Sequence, residues 1–479
     1  MKRFRHLLYF ELLKSTREGM YSIILILMAG LVFLSLYNGS VWFESQKKTV
    51  EQISQMKMSH LQTYLKDYRE YNKTHEVAGL DGPANPIVMN FKRVYPVKPL
   101  SPLMVLCTGQ SDLYGFYNIF TGLEENTLLF ENEIINPLNL LLGKLDWTFV
   151  LIYIIPLFII AASYDLYARE SELGTLRIIL TQHISLKELL LAKLSYRFFV
   201  LTVSFVIFTL LGILFFQSDL LKAEPEWVLL ALIVAMVYIG LWMAVCLFIN
   251  AFLKEAILNG VVLTLLWMAI LFMVPSAINT ITTNKFPVPS RAINLLKSRQ
   301  HAEYLDNRRE QTLQSYLDIY PQFRPANIKD STKIAFIDWY PGFLSWQHDM
   351  IKSKDRFEIQ IDSVLTRQED FVNTTAYIAP SVWVSQTLQF ISHTDLASFQ
   401  QYKSSLREFS RKWRLFVAGK IMLRQKIREQ DFFYLPKVDW SEKDHENTQA
   451  ATQLLVWLAS TTLIMIAGLK ILDIFSRPG

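Results

Sequence analysis

Apolar residues are not spread evenly along this chain. They gather into six runs, at 20–40, 146–165, 195–216, 227–250, 256–276 and 450–474. Each run approaches the ~20 residues a helix needs to cross ~30 Å of hydrocarbon. The pattern predicts an all-α polytopic protein with six transmembrane helices. The fourth and fifth runs are separated only by a turn around Lys254 and Glu255, so they predict a helical hairpin. Ahead of the first run, residues 1–19 carry a broad apolar face formed by Phe4, Leu7, Leu8, Phe10, Leu12 and Leu13. Lys2, Arg3, Arg5, Lys14 and Arg17 flank that face. This reads as a cytoplasmic interfacial helix reaching lipid headgroups, or as a plain extension of the first span.

Two long polar segments interrupt the apolar ones, at 41–145 and 277–447. In the first, Val50, Ile53, Met56, Leu61, Tyr64, Leu65 and Tyr68 recur at threes and fours, which predicts that the helix of the first span continues beyond the bilayer. After His75 the periodicity stops, and Gly79, Gly82, Pro83, Pro86, Pro96, Pro99 and Pro102 mark irregular backbone. The second segment predicts helices over Ser290–Leu317, Met350–Phe371, Ser381–Ser392 and Asp395–Gln430, with short strands over Lys333–Trp339 and Arg356–Ile361. Together the two inserts predict an α-rich external domain of mixed type on one side of the membrane. The helix at Ser381–Ser392, with Trp383, fits either the outer membrane surface or the interior of that domain. The helix at Asp395–Gln430 carries Lys403, Arg407, Arg411, Lys412, Arg414, Lys420, Arg424, Lys426 and Arg428. It reads as a solvated face, or as a contact for lipid headgroups, an anionic substrate or a partner.

Charge fixes the orientation. The net charge over 479 residues is only +5, but its placement is uneven. The N-terminus is basic, and so is the loop 166–194, with Arg169, Arg177, Lys187 and Lys193. The short connection after the third span is acidic, with Asp219, Glu224 and Glu226. Short basic loops stay cytoplasmic, so both termini are expected inside and both inserts outside. The basic start resembles a signal peptide but lacks a small-residue cleavage site, and the first span reads as an uncleaved anchor. Cys107 and Cys246 fall in an outside loop and in the fourth span, which predicts no disulfide between them.

The candidate chemistry is mostly negative. There is no Gly-x-x-x-x-Gly-Lys-Ser/Thr phosphate loop, no His-Glu-x-x-His, no Gly-x-Ser-x-Gly and no Cys-x-x-Cys. The chain is therefore read as a non-enzyme with no cofactor or metal of its own and no nucleic-acid partner. Met56, Met58 and His60 are soft donors of the kind Cu(I) takes, but i and i+2 positions do not share a helix face. The span cores are nearly free of Asp, Glu, Lys and Arg, while ion-coupled carriers need such groups at mid-membrane. Energy is thus expected from a separate motor.

One loop points to that motor. Arg169-Glu-Ser-Glu-Leu-Gly-Thr-Leu-Arg-Ile-Ile-Leu, followed by Ile184-Ser-Leu-Lys-Glu-Leu-Leu-Leu-Ala-Lys, resembles the Arg-Glu…Gly-Thr-Leu signature of ABC-2 type permeases. The six spans and the interfacial N-terminal helix are similar too. Asn136-Pro-Leu-Asn and Asp431-Phe-Phe-Tyr-Leu-Pro-Lys resemble a subfamily with enlarged periplasmic inserts. The resemblance implies the permease subunit of an exporter in a bacterial inner membrane, paired with a second permease and driven by a cytosolic ABC ATPase that binds ATP-Mg. It implies a coupling helix near Ser171–Gln182, with Arg169, Glu170, Glu172, Gly174, Thr175, Leu176 and Arg177 as the coupling residues. Glu170 and Glu172 would favour the N-terminal end of that helix. Leu173, Leu176, Ile179 and Leu180 would form its apolar face, and Gly174 would permit close backbone approach. ATP hydrolysis would move a substrate or only the periplasmic domains, a partner of which is possible. The alternative is a non-transporting membrane scaffold or sensor whose periplasmic domain binds a ligand.

Overall fold

A computed structural model describes residues 2–17, 19–112, 114–123, 144–181, 184–253, 255–324, 334–438 and 448–476. Among them every extended regular element is helical, and strand pairing is limited to three isolated bridges. Six helical stretches are long and apolar enough to cross a bilayer: Gly19–Thr74, Trp147–Glu172, Leu186–Phe216, Pro225–Phe252, Ala256–Lys285 and Ala451–Leu472. The fold is that of an all-α polytopic membrane protein.

Helix α1, Lys2–Arg17, runs into α2, Gly19–Thr74. Helix α2 holds the first span and most of the amphipathic stretch beyond it as one element, because no Pro interrupts its 56 residues and the apolar positions keep helical spacing on both sides of Tyr37. The second span opens at Trp147–Phe149, passes through a π turn at Val150–Ile154 and ends as α3, Ile155–Ser163. The fifth repeats the device: α4, Ala256–Met268, then a π turn at Ala269–Met273, then α5, Val274–Lys285. In both spans a proline, Pro156 or Pro275, follows the wide turn directly. Proline lacks an N–H and clashes with the carbonyl one turn back, and the widened turn accommodates both defects. The third span is α6, Leu186–Phe216, and the fourth is α7, Pro225–Phe252. The sixth is α8, Thr448–Ser476. Helix α6 starts where Ser185 caps it, with Glu188 closing a capping box through bonds of 3.2 and 3.1 Å.

At one end of the bundle, the two inserts interlock as a single body. Asn85 Nδ2 donates to the carbonyl of Ala335 at 3.0 Å, and Gln347 Nε2 donates to that of Gly122 at 2.7 Å. Ala335 N and Ile427 N donate to the carbonyls of Ala78 and Ala84 at 2.7 and 2.9 Å. The insert helices are α9, Arg291–Asp306; α10, Arg309–Ile319; α11, Tyr340–Thr375; α12, Pro380–Ile391; and α13, Leu396–Met422. Phe120, Leu406, Phe409 and Ile421 lie in the core of this body, each at most 2 % exposed.

Several local expectations change. Arg356–Ile361 is not a strand but lies within α11, and Ile334 makes only a single parallel bridge to Ala78. The helix expected over Ser290–Leu317 breaks at Asn307 and Arg308 into α9 and α10. The one expected over Asp395–Gln430 stops at Met422, where Arg424 turns the chain with a φ of 52°. Asn136-Pro-Leu-Asn lies outside the described residues. Cys107 and Cys246 are both free and buried.

The insert body is seated in the ends of the spans rather than tethered beside them. Trp383 of α12 is fully buried and stacks on Trp457 of α8, ring centroids 5.8 Å apart. Trp457 Nε1 donates to the Ala376 carbonyl at 2.9 Å, and Ser381 Oγ to that of Ile270 at 3.2 Å. Trp383 therefore packs at the junction of domain and spans. Nearby, a short 3₁₀ turn at Pro102–Val105 lies against α2 at Gly39, where an added Cβ would meet the Val105 carbonyl oxygen at 2.2 Å. Only glycine permits that approach.

Candidate functional site: the charged elbow

The other end of the bundle carries the loop singled out by sequence. Residues 168–181 form two short helices, Ala168–Glu172 and Thr175–Thr181, and not the single coupling helix expected over Ser171–Gln182. Gly174 separates them with a φ of 71°, and no atom lies within 4 Å of a Cβ built on it. Within the chain, what calls for glycine here is the backbone conformation. An L-residue pays a steric penalty in this region that glycine escapes. The result is a bent elbow.

Glu170 is the hub of the elbow. It was expected to sit at a helix start and favour the dipole, but its side chain turns inward. Its Oε1 lies 2.9 Å from Lys193 Nζ of α6 and 3.1 Å from Lys14 Nζ of α1. Its Oε2 accepts a hydrogen bond from Thr175 Oγ1, across the bend. One carboxylate thus joins both limbs of the elbow, the third span and the N-terminal helix. A second pair lies one turn away. Asp165 sits 3.4 Å from Arg197 Nη1 and 3.7 Å from Arg169 Nη1. Glu172 Oε1 accepts from the backbone N–H of Ala256, the first residue of α4, at 3.3 Å. Ser15 and Tyr196 add a hydroxyl–hydroxyl bond between α1 and α6.

Beneath the ion pairs, amides tie the spans together. Asn250 Nδ2 of the fourth span donates to the carbonyls of Ser163 and Cys246 at 3.0 and 2.8 Å. Asn259 Nδ2 of the fifth span donates to Asn250 Oδ1 at 3.1 Å. All three of the second, fourth and fifth spans meet at this point.

Of the residues predicted for coupling, Arg169, Glu170, Glu172 and Thr175 are thus brought into one network with Gly174 at its bend. Leu176 is half-buried, while Leu173 and Ile178 project, 65 % and 63 % exposed. Leu173, expected on the apolar face that docks on a partner or packs on the spans, does not pack on the spans. The side chains of Arg177, Ile179 and Leu180 lie outside the described residues. Sequence reasoning missed Lys14, Asp165, Lys193 and Arg197. It counted Lys193 only among the basic residues that orient the loop, but the Lys193 side chain is 2 % exposed and that of Arg197 6 %. The signal was present: Lys193 and Arg197 stand four apart on one face of a helix entering the bilayer.

No described group of His, Cys, Asp and Glu is arranged to hold a metal ion. The elbow contains paired charges, two projecting apolar side chains and a left-handed bend.

Comparison with curated proteins and with solved structures returned no match. A family profile described as ABC-2 family transporter protein matches residues 7–477, from the N-terminal helix to the end of the sixth span. With its six spans and nearly full-length match, this chain belongs to the ABC-2 family of transporter proteins, as a multi-pass membrane component.

Proposed function

We propose that the chain is the permease subunit of an ATP-driven exporter in a bacterial inner membrane. A separate cytosolic ABC ATPase binds the elbow at 168–181 and supplies the work, with ATP-Mg held by that partner alone. Both termini and the elbow face the cytoplasm, and the inserts face the periplasm. The observation that carries this reading is the Glu170 hub. A push on the exposed residues Leu173 and Ile178 reaches the third span through Lys193, the N-terminal helix through Lys14 and the fifth span through Glu172. Of these contacts the one to Lys193 is buried and carries the push most directly.

A second permease subunit, identical or paralogous, pairs with this one in the bilayer. Only 17 % and 11 % of the apolar windows of the fifth and sixth spans are buried within the chain. These faces need lipid or a partner to cover them.

Of the two ways such a pump could act, the junction favours motion of the periplasmic body. Trp383 stacked on Trp457, Ser381 bonded to the Ile270 carbonyl, and Pro102–Val105 packed at Gly39 link that body to three spans. Span movement is then delivered outward.

Co-purification tests the reading. The chain expressed in its native host should carry a stoichiometric ABC ATPase through purification in mild detergent, and a Leu173→Asp, Ile178→Asp double variant should release it. A variant that keeps the ATPase bound and fully stimulated removes the elbow as the docking site. Single cysteines introduced at Ser171 and at Thr49 should label from opposite sides of the membrane, and labelling from the same side refutes the proposed topology.

A further inference from the structure

Between α10, α11 and α13, in the insert body, lies an open cleft of about 510 Å³. That is within the ~300–1,000 Å³ typical of small-molecule sites. Its walls differ in character. Tyr316, Leu344, Ile351 and Leu415 give an apolar side. Lys352, Arg356, Arg411 and Arg414 give a cationic one.

Two of these cations have an acid within reach, Asp355 acting on Arg414 and Glu408 on Arg411, but none of the four is held in an ion pair among the described residues. Two other charged residues line the cleft as an ion-paired background. Arg407 is held by Glu358 and Asp362 at 3.0 and 2.7 Å, and Glu408 is held by Lys412 at 2.8 Å. Lys352, Arg356 and Arg411 make no ion pair among the described residues. Arg414 is the most informative. Its Nη2 donates to Ser410 Oγ and its guanidinium lies over the Phe120 ring, 5.7 Å from the centroid. Its Nη1 is buried with no hydrogen-bond partner. Burial pushes its pKa down to about 10, so at neutral pH it remains a cation short of one acceptor. Asp355 also lines the cleft and, among the described residues, makes no ion pair; burial pushes its carboxyl above the usual range although Arg414 and Arg407 act on it in the opposite sense.

A buried N–H without a partner costs free energy that a ligand oxygen would recover. A planar guanidinium beside a second exposed one suits the oxygens of a phosphate or carboxylate. The apolar wall beside them suits an alkyl chain. We propose that this cleft binds an amphiphile with an anionic head, phosphate or carboxylate, its head on Arg414, Arg411 and Arg356 and its tail along Leu344, Ile351 and Leu415. The site stands independently of the elbow and needs no ATPase.

The test uses the full chain in phosphatidylcholine nanodiscs without any ATPase, by titration calorimetry against octyl phosphate, octanoate, butyl phosphate, inorganic phosphate and octylammonium. Empty nanodiscs supply the partition background. At least one octyl anion should bind saturably, and the tighter of the two names the head group. Butyl phosphate and inorganic phosphate should each bind at least tenfold more weakly than octyl phosphate if phosphate is that head, and octylammonium should not bind. Arg356→Glu combined with Arg411→Glu, at two exposed positions where folding is safe, should weaken the preferred anion at least tenfold, and Arg414→Gln should do the same. The proposal is overturned if neither octyl anion binds above background, if octylammonium binds as well, if the tail adds no affinity, or if the double variant binds unchanged. None of these results bears on ATPase docking, which is read separately by co-purification.

Discussion

The Glu170 carboxylate lies 2.9 Å from the Lys193 ammonium, with the two side chains 10 % and 2 % exposed. The pair joins the elbow to the third span in a place where water cannot substitute for either partner. Removing one member of such a buried pair costs about 3–5 kcal/mol, because the other charge is left uncompensated. Lys193→Met should therefore lower the thermal midpoint of the purified chain. It should also abolish stimulation of the ATPase while leaving Leu173 and Ile178 free to bind it. Glu170→Gln, which leaves the buried Lys193 and also Lys14 without their carboxylate, should be the more damaging change in both assays. Full ATPase stimulation in Lys193→Met would show that force does not travel through this pair.

Gly174 holds its φ of 71° with open space around it. Replacement by Ala carries only the backbone penalty, about 1–2 kcal/mol for an L-residue in the left-handed region. Gly174→Ala should straighten the elbow and weaken ATPase binding by roughly tenfold. Gly174→Asn should lose less, since Asn tolerates this region. Binding titrations of both variants decide the matter, and equal affinity for wild type, Ala and Asn would show that the bend is not needed for docking.

In the insert body Asp362 of α11 holds two cations of α13 at once, Lys403 and Arg407, each at 2.7 Å. Lys403 has a side chain only 1 % exposed. Asp362→Asn should destabilise the insert body by ~3 kcal/mol through the stranded ammonium. Limited proteolysis should then cut between α11 and α13 in the variant and not in the wild type. Lys403→Met in the same chain should recover much of the loss, because it removes the charge left without a partner.

Glu369 supplies a pH dependence. Burial, with Asp395 and Asp370 nearby, pushes its carboxyl up from 4.5 to about 7. Tyr114 faces it from the first insert. A raised acid favours the protonated fold, so its stabilising contribution is complete below pH 4.5 and is lost as pH rises through 7. Glu369→Gln should flatten the stability profile across that window. At pH 8 it should unfold later than wild type, by at most ~3 kcal/mol for a shift of this size. Melting curves at pH 5 and pH 8 provide the check, and parallel pH profiles for the two proteins would exclude Glu369 as the source.

The spans were legible because lipid solvent forces long apolar runs, and no other pattern competes with them. The inserts were less so. Phe357, Ile359 and Ile361 alternate like a strand, yet of these only Ile361 is buried, and the flanking helical residues carry the segment into α11. Local alternation lost to a long amphipathic context. At the elbow the motif gave no sign of the bend or of the direction in which its charged side chains turn. A glycine can serve close approach or a left-handed turn, and composition does not distinguish the two. The charges of α6 were misjudged for a different reason. A basic residue near a span's end reads only as an orienting charge until its acidic partner, distant in sequence, is placed beside it.

Helix α2 has 56 residues in one piece, and at 1.5 Å per residue that is ~84 Å of rod. Its far end is gripped by the tail of the second insert, where Tyr68 Oη donates to the Ile427 carbonyl at 2.9 Å and Arg69 pairs with Glu429 at 2.5 Å. A rod of that length would act as a lever if it pivoted at its base. A tilt of only about 5° at its base sweeps the tip through roughly 7 Å, so a rearrangement too slight to open a wide channel would still swing the outermost part of this protein by more than the width of a side chain.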